Sequence, residues 1–214
     1  MSDDNTEDFS YLKDGNTNSS ENATFYDDWA ETYDGNLRDW NYRAPVEAAA
    51  MIAPHLNTGE RVLDVGCGTG LFGKAMTEAH ACTVDGLDIS DASLDVARQT
   101  GAYDKLLCQD LQITPLPFDD NTFGAAACIG VMTYIEDVSA LLADLCRMVR
   151  PGGHIVFTQR DDKWQDRKFD AVIADLEARD LWTAVTISDS KPYMPGNADF
   201  ADDIKVIYVS GQVV

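Results

Sequence analysis

Asp64-Val65-Gly66-Cys67-Gly68-Thr69-Gly70 is the segment whose residue types and spacing most directly describe chemistry. Glycines at alternate positions let a chain turn sharply out of a buried strand and bring bare backbone against a ligand. A helix expected from Leu71 then presents free N–H groups to a negative or polar atom. Gly68, Gly70 and Gly73 also satisfy G-x-G-x-x-G, the pattern of dinucleotide sites, which alone carries little weight. Asp64 tilts the choice, because a carboxylate directly before the loop opposes a pyrophosphate and attracts an ammonium group, directly or through water. Asp88 and Asp110 each close the next apolar run. Asp88 can accept both hydroxyls of a ribose, and Asp110 can accept an adenine amino group. Leu87, Ile89 and Leu111 suit the faces of a ring, or equally a core.

These groups need strand ends to hold them. Short apolar runs at 61–65, 83–87, 105–109, 122–129, 154–158, 185–188 and 204–209 read as strands. Helical patterns fall between them: 71–79, Ser90 (a plausible N-cap) to Gln99, 138–149 and 168–179. A further helix, Pro45 to His55, precedes the first strand. Such alternation predicts an α/β doubly wound sheet, mostly parallel, with ligands outside the carboxyl ends of its strands. That rule selects Asp64–Gly70, Asp88, Asp110, Ile129–Tyr134 and Thr158–Arg160. Upstream, Phe25, Trp29 and Tyr33 share a helical face in a segment also holding Tyr26, Trp40 and Tyr42. It reads as a helix capping the core, as a lid over the site, or as both. Residues 1–22 are polar and acidic and are expected to be a disordered tail. One domain follows over 23–214, with 23–44 as its aromatic lid segment.

Composition narrows the partners. The chain has 214 residues, 45% of them hydrophobic, enough for one domain with a real core. Its 37 acids against 16 bases give a net charge of -21, and such a field repels nucleic acid and anionic membranes. Five cysteines form no CxxC pair or zinc spacing, and no metal is expected. No apolar run approaches the ~18 residues of a spanning helix. A cytoplasmic protein, monomeric or homodimeric, acting on a small molecule is the expectation.

Four segments together resemble a known family. Arg61 to Gly70 looks like motif I of the class I S-adenosylmethionine (SAM)-dependent methyltransferases. Gly86-Leu87-Asp88-Ile89-Ser90 resembles their acidic second motif. Pro115 to Phe123 resembles the loop into their fourth strand, and Leu145 to Gly153 the helix and turn before their fifth. Phe25 to Asp34 is similar to the segment before motif I in ubiquinone/menaquinone-type methyltransferases, and most resembles the Williams–Beuren-region methyltransferase-like proteins. The resemblance implies a Rossmann-like sheet of seven strands with the last antiparallel. It implies SAM as cofactor, bound through Asp64, Gly66, Cys67, Gly68, Gly70, Asp88, Ile89, Asp110, Leu111 and Ile129, with Tyr26 and Tyr33 close by.

Methyl transfer from a sulfonium is an in-line displacement from an activated donor, so alignment and exclusion of water matter most. His55, His80 and His154 all fall at the wrong end of the expected sheet for a base. The expected acceptor is therefore one that needs little help: a thiol, a carboxylate or an acidic hydroxyl. Tyr134 and Arg160 are the candidates for catalytic work, Arg160 either by pairing an acidic acceptor bidentately or, the more expected reading, as a solvated surface charge beside Asp161 and Asp162. Glu136, Lys191, Tyr193 and Met194 are further candidates on the acceptor side. Two other readings stay open: a non-catalytic SAM-binding regulator, and an NAD(P)-binding oxidoreductase.

Overall fold

A computed structural model describes residues 10–200 and 204–214. Seven main strands form one sheet: β1 (Arg61–Val65), β2 (Thr83–Asp88), β3 (Tyr103–Cys108), β4 (Phe123–Cys128), β5 (Val149–Arg160), β6 (Trp182–Ile187) and β8 (Lys205–Val213), while the short β7 (Lys191–Pro192) pairs with β8. Their order is β3-β2-β1-β4-β5-β8-β6. The first five run parallel, and β8 lies antiparallel between β5 and β6. The order reverses between β1 and β4, so the carboxyl ends of those strands open the crevice that binds ligands in such folds. The expected seven strands with the last antiparallel are present.

Residue choice explains the layers. The central strand β4 reads Phe-Gly-Ala-Ala-Ala-Cys and is buried throughout, because both of its faces are covered. Leu63, Val65, Ala126 and Cys128 face one core with α6 (Val138–Met148) and α8 (Phe169–Ala178). Val62, Ala125 and Ala127 face the other with α3 (Ala44–Ile52) and α4 (Leu71–Ala79). Ser90 caps α5 (Asp91–Gln99) as expected, its side chain accepting from the Ser93 N–H.

The amino-terminal reading needs correction. Residues 1–9 lie outside the described residues, but 10–22 are not a tail. Ser10–Asp14 form α1, and Ser19–Asp39 form the long helix α2, capped by Asn18. Leu12 and Asn22 are buried, Tyr11 stacks on Phe25, and the carbonyls of Leu12 and Lys13 accept from Arg160. A short α7 (Asp161–Trp164) follows β5. Average polarity concealed one buried Leu and two anchored carbonyls. A third cluster, joining Leu12, Trp29 and Leu37 to Met194, Phe200 and Ile204, fastens α2 to the segment before β8.

Candidate functional site

A cleft of about 720 Å³, its open mouth included, lies at the carboxyl ends of β1, β2 and β4. Its floor is the glycine loop. Gly66 has φ +75° and Gly68 φ +51°, backbone that favours glycine. A Cβ on Gly68 would meet nothing within 4 Å, so protein packing does not require that glycine. At Gly66 a Cβ would lie 2.3 Å from Val131, so this turn is closed from above by the loop after β4.

Asp88 stands at one wall with both oxygens oriented. One accepts from Gly68 N–H at 2.7 Å and the other from Ser90 N–H at 2.9 Å. Burial holds its carboxyl above the usual range, while these amides pull it back down. Each oxygen retains a lone pair, the arrangement that a vicinal diol satisfies. Ile89, Leu111, Ile129 and Val131 give the cleft apolar flanks, and Asp110 lies among them, accepting from Gln112 N–H. These residues fit a nucleoside: a diol on Asp88, a ring between apolar side chains, and Asp110 toward an exocyclic amine.

Ten of the fourteen residues singled out from sequence line this cleft: Tyr26, Tyr33, Gly66, Gly68, Asp88, Ile89, Asp110, Leu111, Ile129 and Tyr134. Four stand elsewhere. Asp64 and Cys67 line a smaller recess, with Leu71 and Phe72, that shares Tyr33, Gly66, Gly68, Thr69 and Ile129 with the cleft. Asp64 is buried and accepts the Tyr103 hydroxyl at 2.6 Å, and burial pushes its carboxyl up to about 7. Burial likewise raises the Cys67 thiol. Gly70 lines none of these cavities: it caps α4, and a Cβ there would meet Tyr103, Thr100 and Ala97. The Gly73 N–H, one of the amides expected to face the ligand, donates instead to the Tyr103 hydroxyl.

Arg160 is the fourth. It is 4% exposed rather than solvated, and its nitrogens are taken by Asp162 and by the carbonyls of Leu12 and Lys13. It cannot also grip an acceptor bidentately, which corrects the role expected for it. Lys191 pairs with Glu47 at 3.2 Å and lines none of these cavities, nor does the exposed Glu136. Tyr193 and Met194 do line one, a second cavity discussed below. None of the three histidines lines these three cavities. His55 and His154 stack at 3.7 Å near the amino end of β5, and His80 ends α4 just before β2.

Several site residues gave no readable signal. Gln112 donates to the carbonyls of Thr17 and Tyr134 and accepts from Glu136 N–H, joining α2's approach to the loop after β4. Asp27 accepts from Ser90 Oγ and Ala92 N–H. Asp34 accepts from Thr69 Oγ1 at 2.5 Å. Seven apart on α2, these two acids sit on one helical face, which is the clue that a reading centred on aromatics passes over.

Fold, crevice and the carboxylate at its wall together fit a nucleoside cofactor. Comparison agrees. Residues 63–157 match the family model described as a methyltransferase domain. Human methyltransferase-like protein 27 is 29% identical over 164 residues, covering 74% of this chain and 66% of that protein. The malonyl-[acyl-carrier protein] O-methyltransferase of Serratia marcescens is 37% identical over 115 residues, covering 50% and 44%. The chain thus matches less than two thirds of either relative's length. A Thermotoga maritima SAM-dependent methyltransferase, described as a possible histamine N-methyltransferase, superposes with TM-score 0.63 at 14% identity, covering 89% and 98%. Residues 63–157 thus resemble a methyltransferase domain, carried on a fold shared with that Thermotoga protein. No helix among the described residues is long and apolar enough to cross a membrane.

Proposed function

We propose that the chain transfers the methyl group of SAM to a small-molecule acceptor. The observation that carries this reading is contiguity: the cofactor cleft and a second cavity share Tyr26, Tyr33, Gly130 and Tyr134 as a common wall. Bound SAM supplies an electrophilic methyl on sulfur. The residues of this chain bind, align and shield. Asp88 fixes the ribose, the Gly66–Gly68 backbone admits the amino-acid end, and α2 roofs the cleft through Ser19, Asn22, Tyr26 and Tyr33. Two cavities meeting at one wall support catalysis over a purely regulatory role, which needs only the first. Calorimetric titration with SAM, S-adenosylhomocysteine and NAD tests the cofactor assignment. Micromolar binding of the first two with none of NAD is expected. Binding of NAD alone would overturn it.

We also propose that α2 is a lid that closes fully only over bound cofactor. It rests on two carboxylate latches, Asp27 on the start of α5 and Asp34 on the glycine loop. Hydrogen bonds from a charged group contribute about 1.5–3 kcal/mol each when shielded, less at a half-exposed edge. Asp27→Ala with Asp34→Ala should therefore raise proteolysis within α2 several-fold, weaken SAM about tenfold, and leave the sheet's melting cooperative. Saturating SAM should slow cleavage of the parent. Equal cleavage rates with and without cofactor would defeat the lid.

A further inference from the structure

Beyond the shared wall lies the second, more enclosed cavity, about 410 Å³ with its open mouth included. Its polarity runs against that of the whole molecule. The chain carries 37 acids against 16 bases, yet among the described residues no carboxylate, lysine or histidine lines this cavity. Its charged lining group is Arg160, locked by Asp162 and two backbone carbonyls and lying 5.7 Å from the Phe200 ring centroid. A locked guanidinium is a fixed positive potential rather than a swinging ligand.

The other polar atoms are mostly phenols: Tyr26, Tyr33, Tyr42, Tyr134 and Tyr193. Burial raises all five, so they are neutral donors and not bases. The rings of Tyr42 and Tyr193 meet edge to face at 5.4 Å, and those of Tyr26 and Tyr134 at 6.0 Å. The Tyr42 and Tyr193 hydroxyls converge on Gly130, where a Cβ would stand 3.0 and 3.3 Å from them. Gly130 is also part of the wall shared with the cofactor cleft.

These facts select among acceptors. A phenol or an ammonium group must lose a proton to become nucleophilic, and no described lining residue can take it. An aromatic wall alone would suit a cationic amine, but no described lining residue is an anion to pair with one, since Asp162 is already taken by Arg160. A carboxylic acid is already ionised at neutral pH, is attracted by Arg160, and is matched by phenol donors. We infer that the tyrosine cavity is the acceptor site and takes a small carboxylic acid with an apolar or aromatic body, methylated on its carboxylate oxygen. The acceptor oxygen gives an electron pair to the new O–C bond. The donor's C–S bond breaks, and its pair stays on sulfur. Carboxylate and sulfonium charges cancel in an ester and a thioether, and no proton moves.

This rests on the cleft being the SAM site, and the test separates the two. The full chain is saturated with S-adenosylhomocysteine and titrated with phenylacetate, p-cresol or phenethylamine. Phenylacetate should bind, with the other two at least about tenfold weaker. Tyr193→Phe removes one donor to a charged acceptor and should cost phenylacetate about ten- to a hundredfold, with the affinity for S-adenosylhomocysteine unchanged. Tighter binding of the phenol or the amine, or no binding of phenylacetate to the loaded protein, would overturn the carboxylate assignment. Phenylacetate affinity unaltered in Tyr193→Phe would remove the acid from this cavity. Failure of S-adenosylhomocysteine itself to bind would strike the cofactor reading beneath.

Discussion

Replacing Asp88 with alanine is expected to weaken SAM and S-adenosylhomocysteine by about a hundredfold or more. Two charge-assisted bonds to a ribose diol contribute about 1.5–3 kcal/mol each, so their joint loss is about 3 kcal/mol or more. The carboxylate also tethers the loop through Gly68 N–H at 2.7 Å, and the loop's φ angles are positive on either side of Cys67. Asn should not rescue. One Asp88 oxygen faces the Gly68 donor and the other the Ser90 donor, and an amide would set its own NH2 against one of them. Both variants should remain folded, because removing a buried carboxylate near Asp27 and Asp64 also removes repulsion. Calorimetry with circular dichroism checks both points. A folded Asp88→Ala that binds SAM within threefold of the parent would sink the diol assignment.

The sequence revealed most where chemistry and strand ends coincide. Asp88, Ile89, Asp110 and Leu111 were found because a residue that follows a strand of a parallel sheet faces its crevice. What escaped were residues whose partners are distant in the chain. Gln112 acts on Thr17, 95 positions away, and Arg160 acts on Leu12, 148 away. No local pattern encodes such pairs. Arg160 beside Asp161 and Asp162 reads as a surface charge, and only the packing of α1 over β5 turns it into a buried anchor. The acidic 10–22 segment misled for the same reason. Its polarity is real, but its order comes from the carbonyls and the single leucine it offers to the rest of the fold.

The apparent dinucleotide pattern has a physical explanation in Tyr103. A Cβ at Gly73 would stand 2.3 Å from the Tyr103 Cζ, one at Gly70 3.0 Å from its Cε2, and one at Gly86 3.0 Å from its Cε1. Three glycines are thus fitted around one phenol. Its hydroxyl accepts from Gly73 N–H and donates to Asp64. The second and third glycines of G-x-G-x-x-G are accounted for by an internal side chain, with no pyrophosphate required. Tyr103 was not singled out from sequence, because its own strand is the exposed edge and reads as unremarkable.

This arrangement makes Asp64 the centre of the second large prediction. Burial holds its carboxyl at about 7, with the Tyr103 hydroxyl and the Gly73 amide pulling down and Asp88 pushing up. Cys67 and Cys128 also feel its charge. An unfolded aspartate titrates near about 3.9. Between these values the folded chain keeps a proton that the unfolded chain has lost, so stability falls as pH rises from about 4 to about 7 and then levels. The full cost is about 4 kcal/mol, to order of magnitude. Asp64→Asn keeps an acceptor for Tyr103 and removes the charge, at the expense of setting an NH2 near the Gly73 donor. It should be about 2 kcal/mol more stable than the parent at pH 8 and nearly equal at pH 4. Tyr103→Phe should act oppositely: it strips the bond that favours the ionised form, pushes the Asp64 carboxyl higher, and costs about 2 kcal/mol at pH 8. With a net charge of -21, other carboxylates add a slope common to all three proteins. The difference between each variant and the parent, read by urea unfolding at pH 4 and pH 8, isolates Asp64. If Asp64→Asn gains nothing at pH 8, the buried carboxylate is not strained, and the glycine loop is held by something other than its contest with Tyr103.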